Sequence, residues 1–260
     1  HQNELSFPFK RYQMQPVWRA DRPQHGRFQE FTQCDADAIG SDSLLLELEY
    51  IQMVDAIFGD LQLSGCTLRI NHRKVLVAIA QLAGAEAEMT RFFTLLDKLD
   101  KVGWEEVKRL LLDTDFDIDI LDKINVALEG KSTTDQLDAL KQLIGNFTGD
   151  DNPLQDLGFL FSNLGQLSST KVVFDWTLAR GLDYYTGTIF EISAPEQVSV
   201  GSIGAGGRYD DLTGVFGMKD MSGIGISFGL DRIELVLSEL DLFPPALHTS
   251  IDVIVVNFSM

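Results

Sequence analysis

The first apolar segments of the chain are rich in aromatic residues, a composition that favours β-strands. They are FPFKRYQMQPVWRA (7–20) and RFQEFTQCDADAI (27–39). The sequence between them, ADRPQHG, contains a proline and a glycine, which are typical of a turn or loop. Two strands joined by so short a connection pair most simply as antiparallel neighbours.

Helical spacing of the apolar positions follows in residues 41–58, SDSLLLELEYIQMVDAIF. This pattern predicts an amphipathic helix, with Ser41 or Asp42 as its cap. Next, CTLRIN (66–71) predicts a strand, and HRKVLVAIAQLAG (72–84) predicts a short helix that ends at its glycine.

The pattern changes over residues 85–166, which are acidic, favour helix and contain no convincing strand. Between residues 84 and 166 there are 17 acidic and 8 basic residues, and we predict an inserted helical subdomain. Strand-like segments then return as KVVFDWTLA, TGTIFEISA, GSIGAGGRYDDLTG and GIGISFG, followed by a helical LDRIELVLSEL. The combination predicts an α+β fold.

The end of the chain predicts a linker and the start of another domain. FPPALHTS carries two prolines, and IDVIVVNFSM resembles a buried strand that cannot bury itself alone. Because the chain begins with His1 and not Met, we expect it to be a piece of a longer protein. The predicted parts are the first part of the core (1–83), the helical insertion (84–167), the second part of the core (168–242), and the linker with the first strand of a further domain (243–260).

The net charge of −18 excludes nucleic-acid binding through the overall field of the molecule, because phosphate would be repelled. Such a role needs a local basic patch, and residues 1–30 hold five basic against three acidic residues. No apolar run approaches the roughly 20 residues of a membrane span. With no secretory signal pattern and only two cysteines, the sequence predicts a cytoplasmic protein.

The sequence contains partial matches to a calcium loop, a zinc site and a dinucleotide-binding motif, and each lacks the required residues or spacing. The acidic run DTDFDIDILD (113–122) has Ile118 and Ile124 where a calcium loop needs glycine and glutamate, so a solvated face or a helix start is favoured. The four histidines lack the spacing of a zinc site, and we predict no metal ligands. In GIGISFG (223–229) the third glycine comes one position too late for a dinucleotide fingerprint.

The second predicted strand carries polar chemistry on one face. Arg27, Gln33 and Asp37 differ by even numbers, so strand alternation places them together with Phe31, while Phe28 takes the other face. A face with a guanidinium, an amide and a carboxylate is either exposed to solvent or the floor of a polar pocket.

ARGLDYYTGTIFEI places Arg180, Tyr184 and Tyr185 near the glycine-flanked entrance of a strand. The alternative for Arg180 is a structural pairing with Asp183 or another acid. The glycines of GAGGRYDDL either leave room for a close backbone approach under a ligand or form a plain turn.

GLDRIEL places Arg232 in the first turns of a helix that follows a strand. The helix dipole disfavours a cation there, which suggests another role for this side chain. The alternative is a surface salt bridge to Asp231 or Glu234.

Together these segments resemble class II aminoacyl-tRNA synthetases. VWRADRPQHGRFQEFTQCDAD is similar to their second signature motif, a strand–loop–strand with an arginine at each end, and GIGISFGLDRIEL is similar to their third. ARGLDYYTGTIFEI and GSIGAGGRYDDL resemble two segments peculiar to the histidyl-tRNA synthetase family. The match spans residues 7–83 and 170–240, with four motifs in the family's order.

The resemblance implies an antiparallel sheet flanked by helices, with an inserted helical subdomain, in a homodimer. It implies that L-histidine and ATP form histidyl-adenylate, and that the histidyl group then passes to the 3′ end of tRNA(His). Residues 84–167 would be the insertion domain near the tRNA acceptor arm, and residues 251–256 would begin the anticodon-binding domain. The family's first motif, which builds the dimer interface, and a loop for the ammonium group of histidine are expected before His1.

The resemblance also assigns the binding of ATP. Arg19 would contact the α-phosphate and the carboxylate of histidine, with Arg180 across the α-phosphate, and these two are the predicted catalytic residues. Arg27 would bind the distal phosphates, and Arg232 would stack on adenine and contact the γ-phosphate. Mg²⁺ would bridge the β- and γ-phosphates, held mostly by ATP and water.

For histidine, the resemblance implies that Asp37 accepts from one imidazole N–H and that Tyr185 bonds the other nitrogen. Tyr184 would wall the pocket, and Gln33 would bind the polar backbone end of the amino acid. The alternative function is a synthetase-like regulatory subunit of histidine biosynthesis, which senses histidine without catalysis. Such a protein is expected to lose phosphate-binding arginines, so the presence of all four favours the enzyme.

Overall fold

One seven-stranded sheet forms the centre of the protein in a computed structural model, which describes residues 4–145, 152–181, 184–215 and 217–245. The strands are β1 (Phe9–Trp18), β2 (Glu30–Ile39), β3 (Cys66–His72), β4 (Thr170–Phe174), β5 (Thr188–Ser193), β6 (Gly204–Tyr209) and β7 (Gly223–Gly229). Their order in the sheet is β1-β2-β7-β6-β5-β3-β4, and neighbouring strands are antiparallel except for the parallel pair β3 with β4. The predicted α+β fold and the antiparallel pairing of the first two strands are confirmed.

Helices flank this sheet and fill the chain between β3 and β4. In the described residues they are α1 (Leu45–Asp60), α2 (Arg73–Leu82), α3 (Met89–Leu96), α4 (Leu99–Val102), α5 (Trp104–Leu111), α6 (Ile118–Leu128), α7 (Thr133–Ile144), α8 (Pro153–Asn163), α9 (Leu212–Val215) and α10 (Leu230–Glu239).

The predicted cap of α1 was wrong. The helix begins only at Leu45, and the preceding Leu44 makes no side-chain capping bond. The physical reason is a tertiary contact, since the buried guanidinium of Arg208 donates to the backbone carbonyls of Ser41 and Ser43 at 3.0 and 3.3 Å. Those carbonyls hold the segment against β6 before the helix starts.

The described part of the insertion contains helices and no strand, as the acidic pattern predicted. The acidic run 113–122 is a helix start, because Asp117 accepts a hydrogen bond from the backbone N–H of Ile120 and caps α6. The insertion packs onto the rest of the molecule: α2 contacts α7 and α8, and the rings of Trp104 and Trp176 meet edge to face at 6.0 Å. The boundaries at 83/84 and 167/168 stay predictions.

The two faces of β7 explain why the sheet has an apolar side and a polar side. Ile224, Ile226 and Phe228 are buried, and the Phe228 ring meets Phe58 of α1 edge to face at 6.3 Å. Burial of each such side chain contributes about 1.5–3 kcal/mol. The alternate residues of β7 point away from this core, towards the cavities described below.

The predicted strand at 251–260 and most of the preceding linker lie outside the described residues. Within the described part of the chain, no helix is long and apolar enough to cross a membrane.

Candidate active site

The loop between β1 and β2 brings two predicted arginines to one end of the sheet. Arg19 follows β1, and its guanidinium carbon lies 4.3 Å from the centre of the Phe31 ring. Arg27 lies in the loop, where it exchanges backbone hydrogen bonds of 2.9 and 3.1 Å with Gln24. The strand alternation predicted for Arg27 and Phe28 was wrong, because this tight turn precedes the start of β2.

Asp21 joins these two arginines. Its Oδ2 lies 2.9 Å from Arg19 Nε and accepts a hydrogen bond of 3.0 Å from Arg27 Nε. The bond from Arg27 is the largest of the effects that lower the pKa of Asp21. The sequence had given this aspartate no role.

Three of the four predicted arginines line one cavity of about 150 Å³, which we call the arginine pocket. They are Arg19, Arg180 and Arg232, and Arg27 is outside this lining. Both Phe28 and Phe31 contribute an apolar wall to the pocket. Several guanidinium groups around one small cavity repel one another, so the arrangement favours an anionic ligand.

Arg232 is held by backbone carbonyls and not by an acid. Its Nε donates to the carbonyl of Gly26 at 2.5 Å, and its Nη1 donates to the carbonyl of Ser202. Burial and the nearby charges of Arg19, Arg180 and Arg27 lower its pKa. The predicted alternative, a salt bridge to Asp231 or Glu234, is wrong.

Asp231 has a different role, because its Oδ2 accepts from the backbone N–H of Thr32 at 2.7 Å and ties α10 to β2. A Cβ at Gly201 would lie 3.1 Å from Arg232 Nη1, so this glycine leaves room for the guanidinium. The helix start therefore delivers a cation into the arginine pocket.

Arg180 lines the arginine pocket and also forms an ion pair with the buried Glu191 on β5. Arg180 therefore does pair with an acid, which was the predicted alternative, but the acid is Glu191, which the sequence had not singled out. Asp183 lies outside the described residues. Gly181, the next residue, has a φ of 63°, and a Cβ there would overlap the Tyr185 ring.

A second cavity, of about 400 Å³, is lined by carboxylates and phenols, and we call it the acidic pocket. The predicted residues Gln33, Asp37, Tyr184 and Tyr185 all line it, so the polar face of β2 is a pocket floor and not an open surface. Its other lining residues are Arg11, Asp35, Gly181, Ala205, Tyr209, Gly225, Ile226 and Ser227.

Asp37 is held in this pocket from two sides. Its Oδ1 accepts a hydrogen bond of 2.7 Å from the Tyr209 hydroxyl, and its Oδ2 lies 3.8 Å from Arg11 Nε. A Cβ at Gly225 would overlap the carboxylate, so glycine is required at that point of β7. Neither Tyr209 nor Arg11 had been predicted.

The phenols of the acidic pocket stay protonated near neutral pH. Burial, with smaller contributions from the nearby Tyr184 and Asp37, raises the pKa of Tyr185 to about 12. Burial also raises the pKa of Tyr184 and that of Tyr209. Tyr184 and Tyr185 therefore keep a hydroxyl proton that can be donated to a ligand, whereas the Tyr209 proton is already donated to Asp37. Tyr184 contacts both other phenols, with ring centres 5.0 and 5.4 Å apart.

The first six residues of the GAGGRYDDL segment form strand β6, so its glycines lie in a strand and not in a plain turn. Its glycines do allow a close approach, but to the protein itself: a Cβ at Gly206 would meet the backbone of β7, and one at Gly207 would lie 2.8 Å from the Tyr185 ring. These glycines thus place the tyrosine over the sheet.

The two pockets adjoin. Gln33, Ala205 and Ser227 line both, and Gln33 Nε2 donates to Ser227 Oγ at 2.6 Å where the cavities meet. The adjoining pockets thus offer guanidinium groups at one end and carboxylate and phenol groups at the other.

Asp35 is a further residue that the sequence had not marked. It lies between Gln33 and Asp37 on β2, and among the described residues its buried Oδ1 has no hydrogen-bond partner. Among all the residues that the structure describes, no three His, Cys, Asp or Glu side chains come together as a metal site.

A largely antiparallel sheet, a strand–loop–strand that carries arginines, and an arginine-lined cavity on the sheet face place the protein among the class II aminoacyl-tRNA synthetases. Within that class, the family model described as histidyl-tRNA synthetase matches residues 5–233. The chain belongs to the histidyl-tRNA synthetase family.

Individual relatives of this chain carry the names of the same family. The histidine–tRNA ligase of Christiangramia forsetii is 52% identical over 99% of this chain and 57% of its own length, and that of Flavobacterium johnsoniae is 49% identical over 99% and 55%. The crystal structure of histidyl-tRNA synthetase from Nostoc sp. PCC 7120 superimposes with a TM-score of 0.80 at 32% identity, covering 94% of this chain and 57% of that one. The chain thus spans a little over half the length of these relatives.

Proposed function

We propose that this chain is the catalytic part of an enzyme that activates L-histidine with ATP and transfers the histidyl group to the 3′ end of tRNA(His). The observation that carries the proposal is the contact between the arginine pocket and the acidic pocket at Gln33 and Ser227. Activation requires the two reactants to meet at one point, and the shared wall supplies that point.

In the first step a carboxylate oxygen of histidine attacks the α-phosphorus of ATP, a new oxygen–phosphorus bond forms, and pyrophosphate leaves with the electrons of the broken bond. Both reactants are anions, so the enzyme mainly supplies fixed cations and correct positioning. Arginine suits this role because it stays charged and its planar fork matches phosphate. We assign Arg19 and Arg180 to the α-phosphate and the carboxylate.

The remaining cations then bind the rest of ATP. Arg232 reaches the pocket from α10 and would stack on adenine and contact the γ-phosphate. Arg27 would bind the distal phosphates, exchanging its contact with Asp21 for them. The nucleotide itself would hold Mg²⁺, since no three His, Cys, Asp or Glu side chains come together among the described residues, and the ion would neutralise charge on the phosphates.

The acidic pocket would recognise the histidine side chain. The Asp37 Oδ1 is engaged by Tyr209, which fixes the carboxylate and leaves Oδ2 to accept from an imidazole N–H. Tyr185 would bond the other ring nitrogen, Tyr184 would wall the pocket, and Gln33 at the boundary would bind the polar backbone end of the substrate.

The proposal extends to the partners and the place of action. The complete protein would be a homodimer in the cytoplasm that binds tRNA(His), as the family resemblance implies. A regulatory subunit that only senses histidine needs the acidic pocket but not the arginine pocket. The four arginines and the ligase names of the relatives therefore favour the enzyme.

Exchange of labelled pyrophosphate into ATP by the complete protein tests the proposal. We expect exchange that depends on L-histidine, with no exchange when histidine is omitted or replaced by another amino acid. Binding of histidine without any exchange would contradict the enzyme and support the regulator.

A further inference from the structure

Glu191 on β5 is an acid outside both pockets that touches an arginine of one of them. The residue is 3% exposed, so its carboxylate is almost fully removed from water. Its Oε2 forms an ion pair with Arg180 Nε, and its Oε1 accepts a hydrogen bond of 2.5 Å from Arg69 Nη2 on the neighbouring strand β3. A buried carboxylate is costly unless it is paired, and here two cations share it.

Arg69 links this pair to the segment that leads to Arg180. Its Nη1 lies 3.0 Å from Asp175 Oδ2. The other carboxylate oxygen of Asp175 accepts from the backbone N–H and the hydroxyl of Thr177, at 2.9 and 2.6 Å. The turn after β4 is thereby fixed to the strand beside it.

Asn71 adds a further attachment from β3. Its side-chain amide donates to the carbonyls of Trp176 and Leu178, at 3.2 and 3.0 Å. The chain that approaches Arg180 is thus held by the sheet at several points, and Glu191 contacts the arginine itself.

The position of the contact on the guanidinium is informative. Glu191 pairs with Nε, at the inner edge of the group, while the Arg180 side chain remains 41% exposed and lines the arginine pocket. Because the ion pair lies at Nε, it restrains the position of the guanidinium, and that position decides how well the planar group matches a phosphate.

We propose that Glu191 is a positioning residue that orients the Arg180 guanidinium towards the reacting phosphate, with Arg69 as the second cation that holds the buried carboxylate in place. This inference rests on the proposed function. The competing explanation is an ion pair that only stabilises the fold.

A double-mutant cycle on the complete protein separates the two explanations. Single-turnover formation of histidyl-adenylate is measured for the parent, Glu191→Gln, Arg180→Gln and the double variant. Misplacement of a reacting group costs up to about 100-fold, so we expect Glu191→Gln to slow adenylation by about 10- to 100-fold. In the Arg180→Gln background the same change should cost less than about threefold, because its effect acts through the missing arginine.

Glu196→Gln is the matched control, since it makes the same change at an exposed residue close by in the chain and should leave the rate unchanged. Histidine affinity, measured by calorimetry, should change less than about threefold in Glu191→Gln because the acidic pocket is intact. Thermal unfolding is followed for every variant.

Equal slowing by Glu191→Gln in both backgrounds would overturn the proposal, as would a normal rate with a lowered melting temperature. If Glu191→Gln does not fold, Glu191→Asp replaces it, because the shorter side chain keeps the carboxylate but moves it away from Arg180. A normal adenylation rate in a folded Glu191→Asp protein would also overturn the proposal. A parent protein that forms no adenylate refutes the proposed function itself and is distinguished by that control.

Discussion

Replacement of Asp37 by alanine should weaken histidine binding strongly. The change removes the acceptor assigned to an imidazole N–H and also the partner of the Tyr209 hydroxyl, which donates to Asp37 at 2.7 Å. A donor left without a partner in a desolvated pocket costs about 1–3 kcal/mol, which corresponds to roughly a 5- to 150-fold rise in Kd.

Tyr209→Phe is the matched control, because it removes the same hydrogen bond from the protein side and keeps the carboxylate. The acceptor for the imidazole is then present but less well fixed, so we expect less than about a tenfold rise in Kd. Isothermal titration of the complete protein with L-histidine measures both variants, with thermal unfolding to confirm that each is folded.

Two results would disprove the role assigned to Asp37. If Asp37→Ala binds histidine with the Kd of the parent, the carboxylate does not recognise the imidazole. If Tyr209→Phe weakens binding as much as Asp37→Ala does, the phenol and not the carboxylate makes the important contact.

Arg180→Gln should slow adenylate formation by about 10²–10³-fold, by analogy with the loss of one fixed donor, and a near-normal single-turnover rate would show that the arginine is only structural. Gly225→Ala should displace Asp37 and abolish tight histidine binding in calorimetry. Gly158→Ala, inside α8 with no atom within 4 Å of the new methyl, should instead raise the free energy of unfolding by about 0.5–1 kcal/mol. If the two changes had the same effect on histidine binding and on unfolding, the packing argument would be contradicted. Asp55→Ala should lower the free energy of unfolding by about 3 kcal/mol at neutral pH, because Asp55 accepts from three backbone N–H groups at the start of β4. Burial opposes these bonds, but they lower the pKa of Asp55 below its ordinary 3.8, so its stabilisation is present above that pH and is lost as the pH falls through the folded pKa. A difference in urea unfolding that does not shrink as the pH is lowered below 3.8 would contradict this.

The residues that sequence reasoning placed correctly are those whose position follows from local pattern. Gln33 and Asp37 share a strand face because they are separated by an even number of residues, and both line the acidic pocket. The start of α6 could be predicted for the same reason, since Asp117 caps the helix that directly follows it in the chain.

The errors arose where the pattern was extended past a local boundary. Arg27 was assigned to β2 by alternation, but the turn made with Gln24 interrupts the strand geometry before β2 begins. Ser41 was expected to cap α1, but its carbonyl binds Arg208, a contact that depends on the arrangement of β6.

The residues that were missed act through partners far away in the chain. Tyr209 and its acceptor Asp37 are 172 positions apart, and Arg69 and Glu191 are 122 positions apart. No spacing rule within one segment relates such residues. Their roles follow only from the strand order, in which β7 alone separates β6 from β2 and β5 pairs directly with β3.

One continuous cavity is expected to hold histidine at one end and the reacting phosphate at the other. The decisive experiment is a crystal structure of the complete protein with a non-hydrolysable histidyl-adenylate analogue. We predict the imidazole within hydrogen-bond distance of Asp37 and Tyr185, and the phosphate-like group between Arg19 and Arg180, with Gln33 at the junction. An analogue bound with its imidazole away from the acidic pocket, or with its phosphate mimic away from these two arginines, would contradict the account.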